Sequence, residues 1–187
     1  MSARVPWPQW LTNSFLSANQ TSQIDNDGSG YYASYTRLLY HLFGGIEGPF
    51  KISPQFYVPE VPGAGDATKV VAMLIVELNK HPVFFVEVDP PSSLRFDSKR
   101  KQADEQIRDR FHELCDNVIT PRLPAISAIG TRIAFYEYNA ATNALMPPAI
   151  VADPIVLNHL APADRWNYNV LEADGIALMR QVAQDVK

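Results

Sequence analysis

The sequence holds a single cysteine, Cys115, so no internal disulfide can form, and no Cys/His cluster has zinc-site spacing. Cytoplasm or nucleus, the reducing compartments, are expected. No uncharged run approaches the about 20 residues that a membrane span needs, and residues 1–10 lack the continuous apolar stretch of a secretion signal, so no membrane partner is expected. A P-loop and a dinucleotide fingerprint are missing, and Asp27-Gly28-Ser29-Gly30-Tyr31 does not make a nucleophile elbow. Positive charge is scarce too, with 16 Lys and Arg against 20 Asp and Glu and a net charge of -4. A global pull on nucleic acid is thereby excluded, and only a local patch can serve it. One such patch is present: Arg95, Lys99, Arg100 and Lys101 lie close together, with Arg108 and Arg110 following.

What is present is ordinary globular composition, 47% apolar and 19% charged, in 187 residues. A chain of that length buries enough surface for one core, and a single domain over 1–187 is expected. Residues 1–30, polar after Trp7 and Trp10, read as an N-terminal arm that packs by its tryptophans. From Tyr32, apolar residues at Tyr35, Leu38, Leu39, Leu42 and Phe43 have the spacing of an amphipathic helix that Gly44-Gly45 stops. Three apolar runs follow, 50–58, 69–78 and 82–88, and the short break at Asn79-Lys80-His81 predicts an antiparallel hairpin between the last two. After Pro90-Pro91, Asp97 or Ser98 is placed to cap a long helix with apolar positions Ala103, Ile107, Phe111, Leu114, Cys115 and Val118. Residues 125–129 and 132–138 read as two further strands, 139–165 as a proline-punctuated loop, and the end of the chain as a helix. Helices interleaved with strands in this way predict an α/β fold.

The third run carries the chemistry. Glu87 and Asp89 stand two apart on a strand, so their side chains leave one face together with Phe85. If the hairpin pairs about the centre of its turn, Asp89 falls opposite position 71, and Asp66 lies a few residues beyond at the same end. Carboxylates gathered at one sheet end suit a hard cation such as Mg²⁺ or Mn²⁺, which takes oxygen ligands, activates water and neutralises charge on a phosphodiester. The alternative is that these acids mark where a buried strand reaches solvent. Four histidines, His41, His81, His112 and His159, have no metal spacing. The aromatics Tyr136, Tyr138, Trp166 and Tyr168 read as packing residues, with base stacking as their other use.

A helix, three strands with an acid leading the second and an acid-X-polar signature on the third, then a helix: over residues 31–138 this order resembles the core of the PD-(D/E)XK nuclease superfamily. The resemblance implies a restriction-endonuclease-like core of helix, three-strand meander, helix and two strands, with the N-terminal arm before it and the loop and C-terminal helix (139–187) after it. It implies a metal-dependent nuclease in which Asp66 and Glu87 hold Mg²⁺ or Mn²⁺, with Asp89 beside them where the family usually has lysine. Gln106, with Arg110 four residues on, matches a glutamine found in some branches. Lys69, Lys99 and Lys101 are candidates for a displaced lysine, Lys99 first because it shares a helical arc with Gln106 and Arg110. Arg95, Lys99, Arg100, Lys101 and Arg110 would meet nucleic acid. The alternative within the same resemblance is a catalytically degenerate member acting as a binding module. The stretches 82–91, 103–111 and 127–138 also resemble a large set of basidiomycete proteins, from which no activity transfers.

Overall fold

In the computed structural model, residues 5–25, 29–45, 47–57, 71–150 and 162–187 are described. The apolar run ending in Glu87 and Asp89 forms the strand β3 (His81–Asp89), buried from Pro82 onward. A strand reads as an unbroken apolar run when both of its faces are covered. Phe85 meets Phe111 of the helix α3 (Asp97–Leu114) edge-on with ring centroids 4.8 Å apart, while Phe84 stacks on Phe43 of α2 (Ser29–Phe43) at 5.9 Å on the other face. Burying each such ring contributes about 2 kcal/mol.

Three strands form an antiparallel meander, β1 (Phe50–Tyr57), β2 (Val71–Leu78) and β3. The hairpin register is the one a turn-centred pairing predicts, with Met73 opposite Glu87 and Ala72 opposite Val88. Asn79 and Lys80 close the turn in left-handed conformation, φ 53° and 70°. Then α3 carries the chain over the sheet to β4 (Arg122–Ile129), which runs parallel to β3, the arrangement for which a helical crossover is needed. The strand β5 (Arg132–Asn139) returns antiparallel to β4 and pairs with both β6 (Ala144–Met146) and β7 (Tyr168–Asn169). The order across the sheet is β1-β2-β3-β4-β5-β6, with β7 also on β5. Met73, Ile75, Phe85, Ala125 and Tyr136 pack with Ala103, Ile107 and Phe111 of α3. Leu74, Val76, Phe84, Val86 and Ile126 pack on the other face with α1 (Gln9–Asp25), α2 and α4 (Ala173–Asp185). Among the described residues the fold is mixed α/β, four helices about an open and mostly antiparallel sheet.

Several elements differ from the sequence expectation. The expected arm over 1–30 contains the helix α1, whose Leu11, Phe15 and Ala18 are buried at spacings of four and three. That stripe is narrow, and most of the other residues of α1 are Ser, Thr, Asn and Gln, whose polarity masked it. Trp7 does anchor this segment, its Nε1 donating to the Val170 carbonyl at 2.7 Å, whereas Trp10 is half exposed. Ser29 and Gly30, expected in a turn, belong to α2; a Cβ on Gly30 would lie 3.3 Å from Ala18 Cα, so this glycine lets α1 and α2 approach. Neither Asp97 nor Ser98 caps α3: Phe96 holds the N-cap position without a side-chain bond, and Asp97 pairs with Arg100 instead. Cys115, expected on the buried face, is half-buried at the end of α3. The expected loop 139–165 includes β6, and a 3-10 turn at Ala163–Trp166 follows. Among the described residues, no helix is long and apolar enough to cross a membrane.

Candidate functional site

Glu87 and Asp89 share the α3 face of β3 with Phe85, and they are 0% and 1% exposed. They therefore do not mark the strand's exit to solvent. Taking a carboxylate out of water opposes folding unless partners in the interior offset it. Glu87 stands in a row that crosses the sheet from Met73 through Glu87 to Ser127 and Ala134. The Ser127 hydroxyl accepts a hydrogen bond from Trp166 Nε1 at 3.1 Å, with both residues buried. Asp89, one same-face step further, lies opposite Ile129. Its backbone carbonyl accepts from the Gly130 amide at 3.0 Å, and the Tyr35 hydroxyl of α2 donates to the Gly130 carbonyl at 2.9 Å. The strand end that bears the acids is thus pinned from the opposite helical layer.

Along α3, Lys99, Gln106 and Arg110 occupy one flank of the buried face. Gln106 is half-buried, and its Oε1 is buried without a hydrogen-bond partner among the described residues. Arg110 is buried and reaches both Glu113 oxygens at 2.6 and 2.7 Å. Arg100 is buried too, bonded to Asp97 and to the Leu94 carbonyl. Lys101 pairs with Glu105 at 3.5 Å, and Lys99 donates to Gln102 at 3.3 Å. Of the basic set, Arg95 and Lys99 are the exposed members. Asp66 and Lys69 lie outside the described residues.

The other flank of α3 carries a cluster that sequence reasoning missed. Asp104, 1% exposed, accepts from the Tyr136 hydroxyl at 2.7 Å, Arg108 Nε at 2.9 Å, the Ile150 amide at 3.1 Å, and Arg165. Burial by itself would raise the Asp104 pKa, but the hydrogen bonds from Arg108, Tyr136 and Ile150 outweigh it and hold the carboxyl below its usual range. Burial and the Asp104 charge together push the Tyr136 phenol well above its ordinary value. Arg108 and Arg165 also donate to the Pro147 and Pro148 carbonyls, at 2.6 and 2.9 Å, so the cluster ties the segment after β6 to α3. A signal was available in the four-residue spacing of Asp104 and Arg108. Of the four aromatics read as packing residues, Tyr136 and Trp166 are buried and Tyr138 is half-buried, whereas Tyr168 is exposed.

Among the described residues, no group of three or more His, Cys, Asp or Glu is arranged to hold a metal ion. The buried carboxylates of Glu87 and Asp89 on β3 and the buried Gln106 Oε1 on α3 are hard oxygen donors, the kind that suits Mg²⁺ or Mn²⁺. A cleft of about 420 Å³, lined by Arg122, Pro124, Phe135, Glu137, Val182 and Asp185, opens on the other face of the sheet. Compared with protein-family models, curated proteins and solved structures, the chain matches none.

Proposed function

We propose that this chain is a metal-dependent phosphodiesterase of nucleic acid on a restriction-endonuclease-like core of the PD-(D/E)XK type. The observation that carries the reading is the burial of Glu87 and Asp89 side by side on one face of β3, beneath α3. Acids are rarely held in the interior of a sheet, so two of them on one strand face are candidates for a functional role. The meander β1-β2-β3, the crossover helix α3 and the parallel strand β4 support the choice of core.

On this reading Asp66 and Glu87 hold Mg²⁺ or Mn²⁺, with Asp89 adjoining. The bound ion supplies an activated water and neutralises the charge that develops on the phosphate. Glu87 is oriented by its place between Met73 and Ser127 in the sheet, and the Asp89 backbone by the Gly130 amide. The Gln106 amide oxygen is a further hard donor toward metal or water. Lys99, exposed on the same flank of α3, takes the counter-charge role of the missing lysine.

Asp89 favours a second reading, a degenerate member that binds without turnover, because an acid in the lysine position repels phosphate. Incubation with single- and double-stranded DNA and RNA in Mg²⁺ or Mn²⁺ separates the two. Metal-dependent cleavage lost in Glu87→Gln is expected; persistent inactivity, or unchanged cleavage in the variant, overturns the enzymatic reading.

A further inference from the structure

Phe96 holds the N-cap of α3, where a Ser, Thr, Asp or Asn side chain would close the first turn. It makes no such bond and leaves 58% of its surface exposed. The missing cap forgoes stability, and the exposed ring contributes none. A lone exposed apolar side chain is ordinary, so its company is what matters. Arg95 immediately before it is exposed, and so is Lys99 one turn later, its amide bonded to the Phe96 carbonyl at 3.1 Å. An exposed aromatic ring therefore stands between two exposed cations on a chain whose net charge is -4.

The mount of this group is firm and follows the carboxylates directly along the chain. From Asp89 the chain passes Pro90 into a 3-10 turn, Pro91–Arg95, that leads directly to Phe96. Five residues of such a turn rise about 10 Å, a span of a few nucleotides. Ser93 is buried and its amide donates to the Pro90 carbonyl at 3.0 Å; the Phe96 amide donates to Ser93 at 3.4 Å; Arg100 holds the Leu94 carbonyl at 2.5 Å. Pro91 packs against Gly130, which itself bonds Asp89.

We infer that Phe96 is a base-stacking platform with Arg95 and Lys99 as its phosphate contacts, so that the chain takes single-stranded or unpaired nucleic acid in preference to intact duplex. The inference rests on the nucleic-acid reading above and names its substrate class. Arginine and lysine meet the phosphates, and the open ring face meets a base that no neighbouring base covers, a surface that duplex DNA does not offer. No sequence preference follows, since every base has a ring face to stack.

The test is binding of fluorescein-labelled oligo-dT and of a duplex of equal length, by anisotropy, in EDTA and low salt. The wild-type chain should prefer oligo-dT. Phe96→Ala should weaken that binding about tenfold with little change for duplex, and Phe96→Trp should restore it. Replacing both Arg95 and Lys99 by alanine should flatten the salt dependence of log K by about 1.4, two phosphate contacts on a single strand. Equal binding of oligo-dT by wild type and Phe96→Ala, or no binding of either oligonucleotide, overturns the inference, the latter leaving the patch as a protein-docking surface. The metal-free conditions keep this apart from turnover. A chain that binds oligo-dT through Phe96 yet cleaves nothing loses the hydrolase reading alone.

Discussion

The Tyr136 hydroxyl donates to Asp104 Oδ1 at 2.7 Å, joining β5 to α3 across the face of the sheet that also carries Glu87. Around this bond Arg108 and Arg165 complete a cluster in which one buried carboxylate answers two guanidinium groups.

Because hydrogen bonds hold the Asp104 carboxyl below its ordinary pKa, the cluster's stabilisation is present above the unfolded value of about 3.9 and is lost as pH falls through the folded one. Urea unfolding midpoints should therefore decline on acidification below about pH 4. Asp104→Asn should lower stability by about 3 kcal/mol at neutral pH, since two arginines are left facing a neutral group, and should flatten this acid limb. An unchanged acid limb in the variant would show that other carboxylates control it.

Gly130→Ala tests the tie between the layers. Gly130 has φ 61°, and a Cβ there would lie 2.8 Å from Pro91 Cβ. Backbone strain and that contact together should cost about 2 kcal/mol or more in unfolding free energy. Tyr35→Phe, which removes only the donor to the Gly130 carbonyl, should cost about 1 kcal/mol. A smaller loss for the glycine variant than for the tyrosine variant would contradict the packing described.

Much of this frame was legible. The run 82–88 and its stop at Pro90-Pro91 are visible as a strand covered on both faces, and the Asn79-Lys80 turn sets the register that puts Met73 opposite Glu87. The long helix after Pro91 shows in the spacing of Ala103, Ile107 and Phe111. Its start was misread because Phe96 breaks the capping preference on which boundary reading depends. The helix α1 hid behind its polar composition. Acids at the end of a strand usually mark solvent, so the complete burial of Glu87 and Asp89 was not legible, although their shared face was. Arg165 reaches Asp104 across 61 residues, a meeting that only the tertiary fold creates.

Metal binding to the native state must raise the melting temperature. At a metal concentration of about 100 times the dissociation constant the gain is about 2.7 kcal/mol, or several degrees for a chain of this size. Titration with Mg²⁺ and Mn²⁺, followed by circular dichroism, should show this rise in the wild type and its loss in both Glu87→Gln and Asp66→Asn. Equal rises in wild type and Glu87→Gln would remove Glu87 from the ligand set.

Phe96→Ser is the substitution in which stability and binding should move in opposite directions. Serine at the N-cap of α3 supplies the hydrogen bond that Phe96 lacks, worth about 1 kcal/mol, and withdraws a ring that is already largely in water. The melting temperature should therefore rise by about 2–4 °C. If the ring serves a partner, the same variant should bind oligo-dT less tightly than the wild type, a trade of function for stability common at sites that break a local folding rule. A fall in melting temperature would instead mean that Phe96 contributes packing, and the reason for its place at the N-cap would then lie in the fold itself.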